Sequence, residues 1–287
     1  MASDDLTSDK WYTEIYPDDG AALSLAIEQR IHEEQTEYQY LEIFETQNFG
    51  RLMTLDGLVM LTSRDNFIYH EMMTHPALFT HPDPKNIVVI GGGDCGCVKE
   101  ILKHPVKSVT QIELDERVTR VSEEYFPELC ESNNDPRAKF EFTDGIEWMK
   151  RADDATLDVI IIDSTDPVGP AAGLFSTEFY QQCFRALTEN GVLVAQSESP
   201  LFHEHIIHDV HQNMNAAGFS HRALLQFAQC TYPSGWWTAS LASKTVSPAD
   251  FRDDAARQKN FETTYYNADI HRAAMAKPEF LRKKLAD

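Results

Sequence analysis

The chain has 287 residues, room for one large domain or two smaller ones, and 42% of them are apolar, ample for a buried core. A formal charge of −21 argues against a nucleic-acid partner and for cationic or neutral ligands. No run approaches the roughly 18 apolar residues of a membrane span, and the acidic start MASDDLTSDKW lacks the order of a secretory signal.

In chain order, residues 20–62 read as β structure. The stretch LEIFETQNFGRLMTLDGLVMLT alternates apolar and polar residues, with turn chemistry at Asn48-Phe49-Gly50 and Asp56-Gly57, and predicts a small antiparallel sheet. IYHEMMTHPALF, from residue 68, has helical spacing and stops before Pro82. Apolar runs at 87–90, 108–114, 139–143, 157–162 and 191–196 then alternate with amphipathic stretches at 97–103, 116–125, 145–151 and 176–187. That rhythm predicts βαβ units and a parallel, doubly wound sheet. A helix over 204–217, a late hairpin over 222–230 and 236–243, and a charged helical tail over 250–287 follow, with YYNADIH as an irregular lead-in.

Five cysteines without a disulfide-scaffold pattern point to a reducing, cytoplasmic setting. Cys95 and Cys97 are too close for a redox or zinc pair and read as small loop residues.

In an open α/β sheet, ligands bind outside the carboxyl ends of the strands. Here the strand ends carry Gly91-Gly92-Gly93-Asp94, Glu113 and Asp115, Asp144-Gly145, Asp163-Ser164-Thr165-Asp166, and Gln196 with Glu198. Glycines 91, 93 and 96 have the spacing of a nucleotide-binding turn, and Glu113, some twenty positions on, suits ribose hydroxyls. Asp94 narrows the choice. A fixed carboxylate there repels a pyrophosphate, or the carboxylate of S-adenosylmethionine, by on the order of 4 kcal/mol at about 4 Å and an effective dielectric near 20. A ligand presenting an ammonium gains instead, and decarboxylated S-adenosylmethionine is such a ligand. In the loop after residue 162, Asp166 is suited to take the proton of an attacking ammonium, with Asp163 binding a cation beside it.

Several stretches together resemble the spermidine synthases, a branch of the polyamine aminopropyltransferases, from about Trp11 to Leu285. They are YQYLEIFE, GRLMTLDG, RDNFIYHEMM, VVIGGGDCG, IELDERV, DSTDPVGPAAGLF, YPSG and YYNADIHRAA. The resemblance implies an N-terminal β domain, taken as residues 1–70, and a Rossmann-like, methyltransferase-type catalytic domain over 71–287, assembled as a homodimer or homotetramer. It implies transfer of the aminopropyl group of decarboxylated S-adenosylmethionine, a co-substrate, to putrescine, giving spermidine and methylthioadenosine without a metal or bound cofactor. By the same resemblance Asp94 holds the aminopropyl ammonium, Glu113 the ribose, Asp144 and Gly145 the adenine, and Gln39 the sulfonium ligand. Asp166 is the general base assisted by Tyr69, Asp163 lies near the amine, Tyr232 lines the amine channel, and His70, Arg64 and Asp65 belong to the gate between the domains, with His70 among the acceptor-binding residues.

Departures from the family pattern are Cys95 and Cys97 in a loop that usually reads GGGDGG or GGGDGA, Met60 where glutamine is common, and the stretches SESP and SGWW. They bear on acceptor length and binding strength rather than on reaction type. Putrescine needs a second anchor for its distal ammonium, for which Glu198 and Glu14 are candidates, with Tyr232 and Trp236 as apolar walls. Cadaverine or a longer polyamine as acceptor, and a non-catalytic polyamine-binding protein, are the alternatives. Asp94 argues against an amine N-methyltransferase, and only the glycine spacing suggests a nicotinamide enzyme.

Overall fold

A computed structural model of the chain describes residues 5, 6, 8–165 and 169–285. The alternating N-terminal stretch forms an antiparallel meander of β1 (Trp11–Tyr16), β2 (Ala21–Gln35), β3 (Tyr40–Thr46), β4 (Arg51–Leu55) and β5 (Leu58–Thr62), paired in sequence order. Asp56 and Gly57 both have positive φ, 51° and 78°, and close the β4–β5 hairpin as a two-residue turn matched to strand twist. Period two splits the side chains between two cores. Leu25, Phe44, Leu52 and Val59 pack on one side, while Leu41, Ile43, Met53, Leu55 and Leu61 pack against Val118, Val121 and Phe126 of the following unit.

The helix α1 (Asn66–Thr80) is buried at every residue except Phe67, although it carries two histidines, a glutamate and Pro76. Burial is tolerable because the polar groups are partnered. Glu71 accepts the backbone N–H groups of Thr264, Tyr265 and Tyr266 at 2.7, 2.9 and 2.7 Å, and His75 sits between Glu100 and His104 at 3.0 and 2.9 Å.

The second sheet is built from β6 (Asn86–Gly91), α2 (Gly96–Leu102), β7 (Ser108–Glu113), α3 (Glu116–Tyr125), α4 (Pro127–Cys130), β8 (Ala138–Phe142), α5 (Gly145–Arg151), β9 (Leu157–Asp163), α6 (Thr177–Ala186), β10 (Leu187–Gln196), α7 (Glu204–Ala216), β11 (His221–Ala228) and β12 (Trp236–Ser243). Its order is β11-β12-β10-β9-β6-β7-β8, with β6 to β10 parallel and β12 antiparallel to both its neighbours. The central strands β6 and β9 are near-continuous apolar runs because helices cover both faces of the sheet, one core containing α1 and α2, the other α6 and α7. Strand order reverses at β6, which lies between β9 and β7, and this opens a crevice at the carboxyl ends.

The tail is less helical than its composition predicts. It forms three short helices, α8 (Asp253–Arg257), α9 (Ala268–Ala274) and α10 (Glu279–Lys284), with irregular chain over 258–267. The backbone there bonds to Glu71 instead of to itself, and Asn267 restarts the helix by accepting from the Asp269 and Ile270 N–H groups.

Candidate active site

The site begins where β6 ends. Gly91 has φ of 83°, and a Cβ there would lie 2.1 Å from the carbonyl oxygen of Asp163, while the Gly92 N–H donates to that same oxygen at 2.7 Å. Only glycine lets the loop close so tightly on the end of β9. The chain then turns into α2 through Cys95, whose φ of 69° lies in the left-handed region that favours glycine. Asp94 accepts the Gly96 N–H at 2.7 Å and keeps a face on the crevice.

The crevice is a cleft of about 510 Å³, and residues from both sheets line it. From the parallel sheet come Asp94, Glu113, Asp115, Asp144, Gly145 and Asp163; from the meander and its neighbours come Tyr38, Gln39, Met53, Leu55 and Met60, with Tyr69 and Tyr232 closing one end. Asp144 caps α5 by accepting from Ile146 and Glu147, which fixes its position at the rim. Gln39 donates to Asp115 at 3.0 Å, and Thr36 donates to the same oxygen at 2.6 Å, so Asp115 ties the N-terminal sheet to the cleft. Burial pushes the Glu113 carboxyl up to about 7, opposed by the Asp115 N–H it accepts.

Tyr69 donates to Asp163 at 2.6 Å, and the other Asp163 oxygen is buried without a partner among the described residues. Burial, then the charge of Asp94, holds the Asp163 carboxyl above its ordinary range. Tyr232 donates to the Met60 carbonyl at 2.5 Å and meets the Tyr69 ring at 5.8 Å. Beyond these two tyrosines a small cavity of about 50 Å³ continues, lined by Glu14, Val59, Ser164, Thr165, Gln196 and Trp237 among others. Glu14 is 6% exposed and accepts the Val59 N–H at 2.9 Å; burial raises its carboxyl to about 7.

Thus Gln39, Tyr69, Asp94, Glu113, Asp144, Gly145, Asp163 and Tyr232 come together around one cleft. Asp166 lies outside the described residues, between Thr165 and Ala171, both of which line the cleft. His70 stands behind Asp94, 3.2 Å from its carboxylate, and is 2% exposed. Arg64 donates to the Asn48 carbonyl, and Asp65 accepts from Thr62 and Thr231, joining the end of β5 to the loop that carries Tyr232. Glu198 is turned to His203, 2.9 Å away, so of the two distal-anchor candidates Glu14 is the one at the cavity. Alternation along β12 turns Trp237 to the cavity and Trp236 to Phe280, the reverse of the wall expected from sequence. The lining contributed by Met53, Leu55 and Leu58 had no signal beyond an apolar face in β4 and β5.

A glycine turn and acidic strand ends on a doubly wound sheet, with a carboxylate where a phosphate would otherwise sit, suit a nucleoside-binding site that favours a cationic over an anionic ligand. Comparison with known proteins narrows the class. Residues 10–63 match the spermidine synthase tetramerisation domain, and residues 66–253 match the spermine/spermidine synthase domain. Polyamine aminopropyltransferases of Thioalkalivibrio sulfidiphilus and Methylococcus capsulatus are 60% and 58% identical, each over 96% of this chain and 97% of the relative. A spermidine synthase solved in complex with the transition-state analogue AdoDATO superposes with a TM-score of 0.92 at 37% identity, covering 96% of this chain and 94% of that one. The spermidine synthase of Thermotoga maritima gives 0.91 at the same identity and coverage. The chain belongs to the spermidine synthase family of polyamine aminopropyltransferases.

Proposed function

We propose that the protein transfers the aminopropyl group of decarboxylated S-adenosylmethionine to putrescine, giving spermidine and methylthioadenosine. The observation that carries this reading is the run of carboxylates along one continuous cleft, from Glu113 and Asp94 through Asp163 to Glu14 in the small cavity. Each ammonium of the two substrates then has an acid to face. Glu113 takes the ribose hydroxyls, Asp144 and Gly145 border the adenine, Asp94 holds the donor's ammonium, and Gln39 borders the sulfonium.

Putrescine lies past Tyr69 and Tyr232 with its far ammonium on Glu14 and its near nitrogen towards Asp163 and Asp166. The nitrogen lone pair attacks the aminopropyl carbon, the carbon–sulfur bond breaks, and its electrons neutralise the sulfonium. Asp166 takes the proton, while Tyr69 holds Asp163 at 2.6 Å. The leaving group is already a cation, so the step calls for neither metal nor bound cofactor. Assembly as a homodimer or homotetramer through the N-terminal sheet fits the family description of residues 10–63.

The small cavity, walled by Trp237, Tyr232 and Pro233, favours four carbons over five. A methylene that does not fit a pocket is worth about 1–3 kcal/mol, roughly tenfold or more in kcat/KM. A competition assay with putrescine, cadaverine and spermidine, scored by mass spectrometry, is expected to yield methylthioadenosine with spermidine as the dominant product. Asp166→Asn is expected to lower turnover by about two orders of magnitude. Dominant aminopropylcadaverine or spermine would move the acceptor assignment, and absence of methylthioadenosine would overturn the reaction.

A further inference from the structure

His70 touches the carboxylate that faces the donor, yet it does so from behind the cleft wall. Its Nε2 is 3.2 Å from each Asp94 oxygen, while its Nδ1 is buried with no hydrogen-bond partner among the described residues. The ring lies against the start of α2 so closely that a Cβ on Gly96 would come within 2.3 Å of it, and the Tyr69 ring meets it edge-on at 5.7 Å. The imidazole therefore cannot swing away, and Asp94 has a fixed partner before any ligand arrives.

The acids facing His70 are Asp94 from the glycine loop, Asp163 at the end of β9 and Glu100 on α2, with Tyr69 beside it on α1. Glu100 is already shared by His75 at 3.0 Å and Lys103 at 2.7 Å. Cys97, also on α2, is kept a neutral thiol by burial and by Asp163 and Asp94. Burial opposes the imidazolium, but the charge and hydrogen bond of Asp94 outweigh it and raise the pKa of His70. The same contact, with the Gly96 N–H, overcomes burial to lower that of Asp94.

We propose that His70 is a proton-linked stand-in for the donor's ammonium: as an imidazolium it neutralises Asp94 in the empty site, and it releases that proton when the aminopropyl ammonium binds. Two cations on one buried carboxylate repel each other, and the proton is the one free to leave. It departs from Nδ1, where no acceptor among the described residues holds it, while Nε2–H still donates to Asp94. His70 is thus a positioning residue that keeps the donor-binding acid ionised and ordered. The inference rests on the donor assignment proposed above.

The linkage has a definite sign. A proton competing with the donor weakens donor binding on the acid side of the His70 titration by up to about tenfold per pH unit, and the effect vanishes once His70 is neutral. The test is calorimetry of the full chain with decarboxylated S-adenosylmethionine from about pH 6 to 8.5, in buffers of different ionisation enthalpy, to count protons released. Methylthioadenosine, which lacks the ammonium, is the control. The expected result is that the donor releases up to about one proton more than methylthioadenosine at the acid end, the control carrying any contribution of Glu113, which faces the ribose of both ligands. His70→Gln and His70→Asn, which keep an N–H donor but cannot charge, are expected to lose that release. Wild-type donor binding without proton release, or equal release from the variants, overturns the proposal. Turnover to methylthioadenosine by an enzyme whose donor binding releases no proton leaves the functional reading standing, whereas failure of the donor to bind overturns both.

Discussion

At the scale of single residues, the cleft holds buried carboxyls that are costly to charge. Glu14 is the clearest case, with a carboxyl raised from 4.5 to about 7 by burial, against the Val59 N–H and Tyr16 hydroxyl that hold it down. The folded chain therefore binds this proton more tightly than the unfolded chain does. The corresponding stability is fully present below about pH 4.5 and lost as pH rises through about 7, a difference on the order of 3 kcal/mol. Glu14→Gln keeps an acceptor for Val59 and removes the charge. The ligand-free variant is expected to be more stable than wild type near pH 8, by up to about 3 kcal/mol, with the gain gone near pH 4. Chemical denaturation at the two pH values checks this. The same variant is expected to raise the putrescine KM by about tenfold or more, because the distal ammonium loses its counter-charge. No stability gain at high pH would mean that Glu14 is less desolvated than its 6% exposure indicates.

Among the elements, α1 joins the site to the rest of the chain. It presents Tyr69 to the cleft and His70 to the back of Asp94, and one residue later Glu71 gathers three consecutive backbone N–H groups of the 264–266 segment. Truncation to alanine leaves those donors without an acceptor, each worth about 1–3 kcal/mol where buried. Glu71→Ala is expected to cost roughly 3 kcal/mol or more in denaturation and to open residues 258–267 to proteolysis in the native protein. An unchanged cleavage pattern would show that packing around Tyr266 alone holds the tail. Helical spacing made α1 legible from residue 68, but not its burial on all sides. The partners that satisfy its polar groups come from α2 and from a segment almost two hundred positions away.

For the whole molecule, the charge of −21 acts on the rate at which cations arrive. Putrescine, the proposed acceptor, carries two positive charges, and the cleft is lined with acids. Raising ionic strength from about 0.01 M to about 1 M shortens the screening length from roughly 30 Å to roughly 3 Å. The expected outcome is a several-fold fall in kcat/KM for putrescine with kcat nearly constant, measured under saturating donor. A salt-independent kcat/KM would remove steering from the account.

The sequence by itself determined the doubly wound sheet and the acids at its strand ends. Strand–helix alternation is written in local periodicity, and the place of a strand end follows from where each apolar run stops. It also placed a carboxylate, Asp94, inside a glycine turn, where its sign is the same in any context, and the proposed choice of a cationic donor rests on that. Tertiary structure decided what local pattern cannot carry. Glu14 reaches the cavity only because β1 pairs with β2 and the meander packs over the crevice, and Trp237 rather than Trp236 faces that cavity because of strand register. His70 meets Asp94 because α1 packs on the glycine that starts α2. Each of these depends on which surfaces come to face one another, and that is settled by burying apolar area across the whole chain, not by the residues on either side of the site.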